Sequence, residues 1–126
     1  MDAVASGLTA DRFQMNVIAD NLANVQTTQT PQGGPYRRQV VELAPIPMGA
    51  GSPGGVAVVG LSADPSPLPL QYDPGNPAAN AQGYVRMPNV SPTAEMVDML
   101  AASRAYDANA TAFSDFVKEG EKALQI

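Results

Sequence analysis

Residues 91–126 read SPTAEMVDML AASRAYDANA TAFSDFVKEG EKALQI, and this stretch decides the architecture. No Pro follows Pro92. One row of side chains recurs every seven residues: Met96, Ser103, Ala110, Val117 and Leu124. A second row carries Met99, Tyr106, Phe113 and Gly120. Together they give the three-four step of a coiled-coil edge, sustained over more than four heptads. The start is well signalled: Ser91 can cap the free N–H groups, Pro92 suits a first helical turn, and Glu95 favours the positive end of the dipole. Such a helix is roughly 50 Å long at 1.5 Å per residue. A compact domain of this size has a radius of gyration of roughly 14 Å. The helix must therefore project and pack against something.

Working outward, the nearest match to this helix lies at the other end of the chain. Residues 2–25 carry Leu8, Met15 and Leu22 seven apart, with Ile18 and Val25 as a second row. Asp11 interrupts that second row, and Gly7 weakens the first turns by about 1 kcal/mol against Ala. Between the helices the chemistry changes. All 12 prolines lie from Pro31 to Pro92, with 9 of the 11 glycines. Residues 26–35 are polar and aperiodic, a loop. Tyr36–Leu43 and Val56–Ala63 are strand candidates, separated by a long turn region at Ala44–Gly55. Asp64–Pro69 is extended by alternate prolines. Leu70–Tyr72 and Gly83–Met87 are shorter strand candidates on either side of the turn-rich Asp73-Pro-Gly-Asn-Pro. The expected fold is mainly α with a small β part. The N- and C-terminal helices (residues 1–25 and 91–126) pair as an antiparallel-type coiled coil. Residues 26–90 form an irregular Pro/Gly-rich insert containing a β-hairpin.

Composition closes off most chemistry. The 126 residues contain no Cys and no His. Disulfides, thiol catalysis, Cys/His zinc sites and imidazole acid–base chemistry are absent together. The net charge of −5 is unsuited to nucleic acid or an anionic membrane surface as main partner. No run of 18 apolar residues exists. Met1-Asp2-Ala3 opens without the basic and apolar segments of a secretory signal, so export, if it occurs, uses a route without a cleaved signal. The acids do not converge. Asp98 and Asp107 do not share a helix face, Glu119 and Glu121 point apart, and Asp64 and Asp73 could meet only through folding. Arg37-Arg38 is too small a patch for nucleic acid. Neither glycine pair sits in a phosphate-loop context, and no acid cluster suits calcium. No catalytic, metal, cofactor or small-molecule site is expected. What remains is packing. Long apolar edges on a small chain call for association with copies or relatives, and a head-to-tail contact that does not close builds a helical tube.

Two segments now gain meaning. Asn16-Val-Ile-Ala-Asp-Asn-Leu-Ala-Asn-Val with Thr27-Thr, and Ala102-Ser-Arg-Ala-Tyr-Asp-Ala-Asn-Ala, resemble the terminal signatures of the bacterial flagellar axial proteins of rod and hook. Gly33-Gly-Pro-Tyr-Arg-Arg-Gln-Val-Val, Tyr72-Asp-Pro-Gly-Asn-Pro-Ala-Ala, Gly83-Tyr-Val-Arg-Met-Pro-Asn-Val and Glu95-Met-Val-Asp-Met narrow the resemblance to the proximal-rod members. The chain departs from them before Val4–Leu8, where they carry several more residues. The resemblance implies a structural subunit of the periplasm-spanning rod of the flagellar basal body. It implies export through the type III apparatus without signal cleavage. Its implied partners are copies of itself, other rod proteins, the basal ring beneath and the export apparatus. The alternative is a coiled-coil adaptor or export chaperone. Under the rod reading, Leu8, Met15, Ile18, Leu22 and Val25 face Met99, Ser103, Tyr106, Ala110, Phe113 and Val117, with Met96 and Leu124 extending the seam. Asn24 suits helix-end and turn chemistry, and Asn21 and Asn109 are candidates for polar contacts between subunits.

Overall fold

A computed structural model describes residues 2–49 and 51–124. The order is α1 (Asp2–Ala23), β1 (Gln39–Gly49), β2 (Ser52–Ala63), β3 (Leu70–Tyr72), β4 (Tyr84–Arg86) and α2 (Pro92–Leu124). The chain is mainly helical with a small β part. Gln125 and Ile126, included in the expected C-terminal helix, lie outside the described residues, as does Ala50 within the expected turn.

Strands β1 and β2 form an antiparallel hairpin, from Gln39↔Ala63 to Gly49↔Ser52, with a bulge between Glu42 and Leu43. The hairpin is longer than expected. Ala44–Gly49 and Ser52–Gly55, read as turn from their prolines and glycines, belong to the ladder. A two-stranded hairpin consists only of edges, so a Pro such as Pro45 need not remove a ladder hydrogen bond. The second pair, β3 with β4, runs from Leu70↔Arg86 to Tyr72↔Tyr84. Across it the Tyr72 and Tyr84 rings meet edge to face with centroids 5.3 Å apart.

Helix α1 lies between two partners. One side meets α2 and another meets the β1–β2 hairpin. The approach to the hairpin needs glycine. Gly55 has φ 120°, and a Cβ there would collide with the Ser6 hydroxyl and lie 3.2 Å from Ala3 Cα. Ser6 Oγ accepts a hydrogen bond from Val56 N–H at 3.1 Å and donates to the Ala3 carbonyl at 2.7 Å. Gly7 does not break the helix. A Cβ at that position would stand 2.9 Å from Asn109 Nδ2, so the residue that weakens α1 as an isolated helix admits α2 closely.

The contacts climb one helix while descending the other. Asn21, near the end of α1, bonds Glu95 at the start of α2; Asp11 bonds Asn109, further along. The buried apolar residues are Ala10, Val17 and Ile18 of α1, Val85 of β4, Val90, and Ala102 of α2. This is a thin core, lying along the helix pair and beneath its start.

Candidate assembly surface

Two features stand out on this frame: a buried polar junction where four segments meet, and a length of α2 that no other described residue covers.

The junction is centred on Asn21 and Glu95, each only 1% exposed. Asn21 Nδ2 donates to the Gln39 carbonyl at 3.0 Å and to Glu95 Oε2 at 3.2 Å. Its Oδ1 accepts from Tyr36 Oη at 2.7 Å and from the Gln39 N–H at 2.9 Å. Arg38 Nε donates to Glu95 Oε1 at 2.6 Å. The same guanidinium reaches Asp64 Oδ2 at 3.2 Å and Asp98 Oδ2 at 3.8 Å. Asn89 Oδ1 accepts from the Arg38 N–H at 2.7 Å, and its amide donates to the carbonyls of Asp64 and Ser66. The strand start, the extended segment after β2 and both helices are thus tied through side chains. A buried carboxylate costs several kcal/mol in order-of-magnitude terms unless it is paired and hydrogen-bonded, and here both oxygens are engaged.

The ionisation of the junction follows. The hydrogen bond from Arg38 to Glu95 holds the guanidinium charged, raising its pKa. Burial raises the Tyr36 phenol, with the Asp20 and Glu95 charges adding to the effect. Asp64 is held below the usual carboxylate range, chiefly by hydrogen bonds from Ser66, then by Arg38.

Between the two helices, α2 offers Glu95, Ala102 and Asn109 at seven-residue spacing, all buried or half-buried. Met99 and Tyr106 of the expected second row are half-buried beside them. The first expected row lies one residue off this line: Ser103 and Ala110 are half-buried, but Met96 is 57% exposed. Hydrophobic periodicity could not see a row with a carboxylate at its start and an amide at its middle. The spacing itself was the available signal. On α1, Leu8, Met15 and Leu22 are half-buried and Ile18 is buried; the helix ends at Ala23, so Val25, expected within it, lies half-buried in the turn that follows. Val17 and Ile18 line a small cleft of about 60 Å³ with Val40 and Val41. Asn21 and Asn109 both find partners within the chain: Asn21 in the junction, and Asn109 Nδ2 donating to Asp11 Oδ2 at 2.9 Å. Asn24 Nδ2 donates to the Asp20 carbonyl at the end of α1, and its Oδ1 accepts from Thr27.

Beyond Ala110 the environment changes. Every residue from Thr111 to Leu124 is exposed. The row of Met99 and Tyr106 continues there as Phe113 and Gly120, with Phe116, Val117 and Leu124 on the same side of the helix. Their exposures run from 37% for Phe113 to 88% for Leu124. Among the described residues, no group of three or more His, Cys, Asp or Glu could hold a metal ion, and no helix is long and apolar enough to cross a membrane.

Comparison with known proteins agrees with these termini. Residues 1–29 match the family described as Flagella basal body rod protein, and residues 81–116 match Flagellar basal body rod FlgEFG protein C-terminal. The flagellar basal-body rod protein FlgC of Borreliella burgdorferi is 42% identical over 143 residues, spanning 100% of this chain and 94% of its own. That of Bacillus subtilis is 41% identical over 142 residues, spanning 100% and 95%. That of Escherichia coli O6:H1 is 47% identical over 109 residues, spanning 86% and 81%. With whole-chain identity at this level, the chain belongs to the FlgC family of flagellar basal-body rod proteins.

Proposed function

We propose that this protein is a structural subunit of the proximal rod of the flagellar basal body. The observation that carries the reading is the α2 seam, which runs on past the last contact with α1 as an exposed apolar face. A face of this kind suits burial against another subunit. In the assembled state the two helices form an antiparallel coiled coil, residues 1–25 with 91–126, and residues 26–90 make an outer part. Copies of the chain and other rod proteins join through the helix seams by contacts that do not close, which generates a hollow helical shaft. The shaft crosses the periplasm and carries torque, with the basal ring beneath it. The subunit reaches its place through the type III export apparatus without a cleaved signal. The function is mechanical and needs no cofactor or substrate.

The test is Phe113→Asp in motile cells. Swimming should be lost at unchanged protein level, because a charge enters the seam where the free subunit is already solvated. Normal swimming would remove the seam from the account.

A further inference from the structure

The exposed end of α2 has a counterpart elsewhere on the molecule. A cavity of about 470 Å³ opens beside a second of about 620 Å³, and the two share Thr30, Gly33, Gly34, Pro35 and Arg86. Together they make one groove of mixed lining, with Leu70 and Ala78 in one half, Leu61 and Leu68 in the other, and polar side chains such as Gln29, Gln32 and Asp20 among them. Arg86 is exposed and lines both halves, and among the described residues its guanidinium has no ion pair or hydrogen bond. The groove therefore combines apolar patches with one uncommitted cation, Arg86, while the Arg37 guanidinium beside it is bonded to the Asp64 and Ser66 carbonyls.

The bare segment of α2 is complementary to it. At 100° per residue, Phe113, Phe116, Val117, Gly120 and Leu124 form a single stripe. The same geometry sets Glu121 beside Val117 and Glu119 beside Phe116, while Lys118 and Lys122 fall on the far side. The stripe is thus flanked by carboxylates. Position excludes contact within one chain. Asp20 and Asn24, at the end of α1 beside the Asn21–Glu95 junction, line the groove. Leu124 lies roughly 44 Å along α2 from Glu95 at 1.5 Å per residue.

We propose that Thr111–Leu124 of one copy of this chain seats in the Thr30–Pro35/Arg86 groove of the next, with Arg86 paired to Glu119 or Glu121. The proposal rests on the self-assembly reading above and names its mating surfaces. Because the two surfaces occupy opposite ends of the helix pair, the contact is head-to-tail and leaves a free surface at each end of a growing row.

Sedimentation of the purified chain over a concentration series tests it. The wild type should self-associate. Arg86→Glu should weaken association by about tenfold or more, as should Glu119→Lys with Glu121→Lys, since each places like charges in contact. The three changes combined should recover most of the loss, which destabilisation alone would not do. Circular dichroism should show unchanged helix in all of them. If Phe113→Asp weakens association and Arg86→Glu does not, the groove is overturned and the seam-based rod reading stands. If association survives both changes, the exposed seam fails as well. A wild type that stays monomeric at every concentration overturns the second copy as occupant, and absence of recovery in the combined variant overturns the ion pair.

Discussion

The two halves of α2 share one heptad pattern and meet different fates. From Glu95 to Ala110 the row lies against α1, and Glu95 and Ala102 are buried. From Thr111 to Leu124 the row continues with larger apolar residues, Phe113 and Phe116 among them, and all of it is exposed. Burial here follows contact with α1 and not hydrophobicity. The covered half is in fact the more polar at its seam, with Glu95 and Asn109 in place. Polar groups specify which part of α2 belongs to α1, because they must find particular partners; the apolar half accepts any suitable surface.

The sharpest way to break this contrast is Glu95→Ala. It leaves the buried Asn21 and the partly exposed Arg38, which keeps Asp64, without their shared acceptor, and each lost hydrogen bond to a charged group costs about 1.5–3 kcal/mol. Thermal unfolding should report a large fall in Tm, and an unchanged Tm would mean that the junction does not hold the helices. Gly55→Ala should come next, at about 1–3 kcal/mol, because its φ of 120° disfavours a side chain and the added methyl meets Ser6 and Ala3 of α1. Denaturant titration measures it. If stability is unaffected, the hairpin contributes nothing to the covered half.

A pH series should show a smaller effect. Asp64 has a lowered pKa in the folded state, so its contribution is present above the unfolded value near 3.8 and is lost as pH falls through the folded one. Stability should drop on the acid side of that range, and Asp64→Asn should flatten the drop. An identical acid profile for the variant would place the loss elsewhere. Phe116→Ser should change monomer stability least, within about 0.5 kcal/mol, as expected for an exposed position. A substantial fall in Tm for that variant would mean that the far half of α2 is packed after all.

Much of the fold was legible in the residues. Both helices follow from the spacing of Leu8, Met15 and Leu22 and of Met99, Tyr106 and Phe113, and all four strands begin within a few residues of apolar runs. The hairpin's length was not legible, because Pro45, Pro53 and Gly55 carry turn chemistry by composition, and only the absence of further strands beside them makes a ladder possible. The junction was hidden for a different reason. Asn21, Tyr36, Arg38 and Glu95 are scattered over 75 residues, and nothing in their spacing announces that both oxygens of one carboxylate will be engaged. Glu95 read as a helix-start acid, which it is by position, although it is buried. The exposed seam was visible as a seam; that its first half alone lies against α1 was not, because both halves carry the same spacing.

The location of the junction has a geometric consequence. It clamps α2 at its first turn, and Leu124 lies roughly 44 Å away along a straight helix. A tilt of about 5° at Glu95 would displace that far end by about 4 Å at this radius. A shift of that size is about three-quarters of the 5.4 Å helical pitch, enough to unseat a side chain from a pocket on an opposing surface. The stiffness of the junction, backed by the Asp11–Asn109 bond further along, therefore sets the positional tolerance of every contact made at the far end.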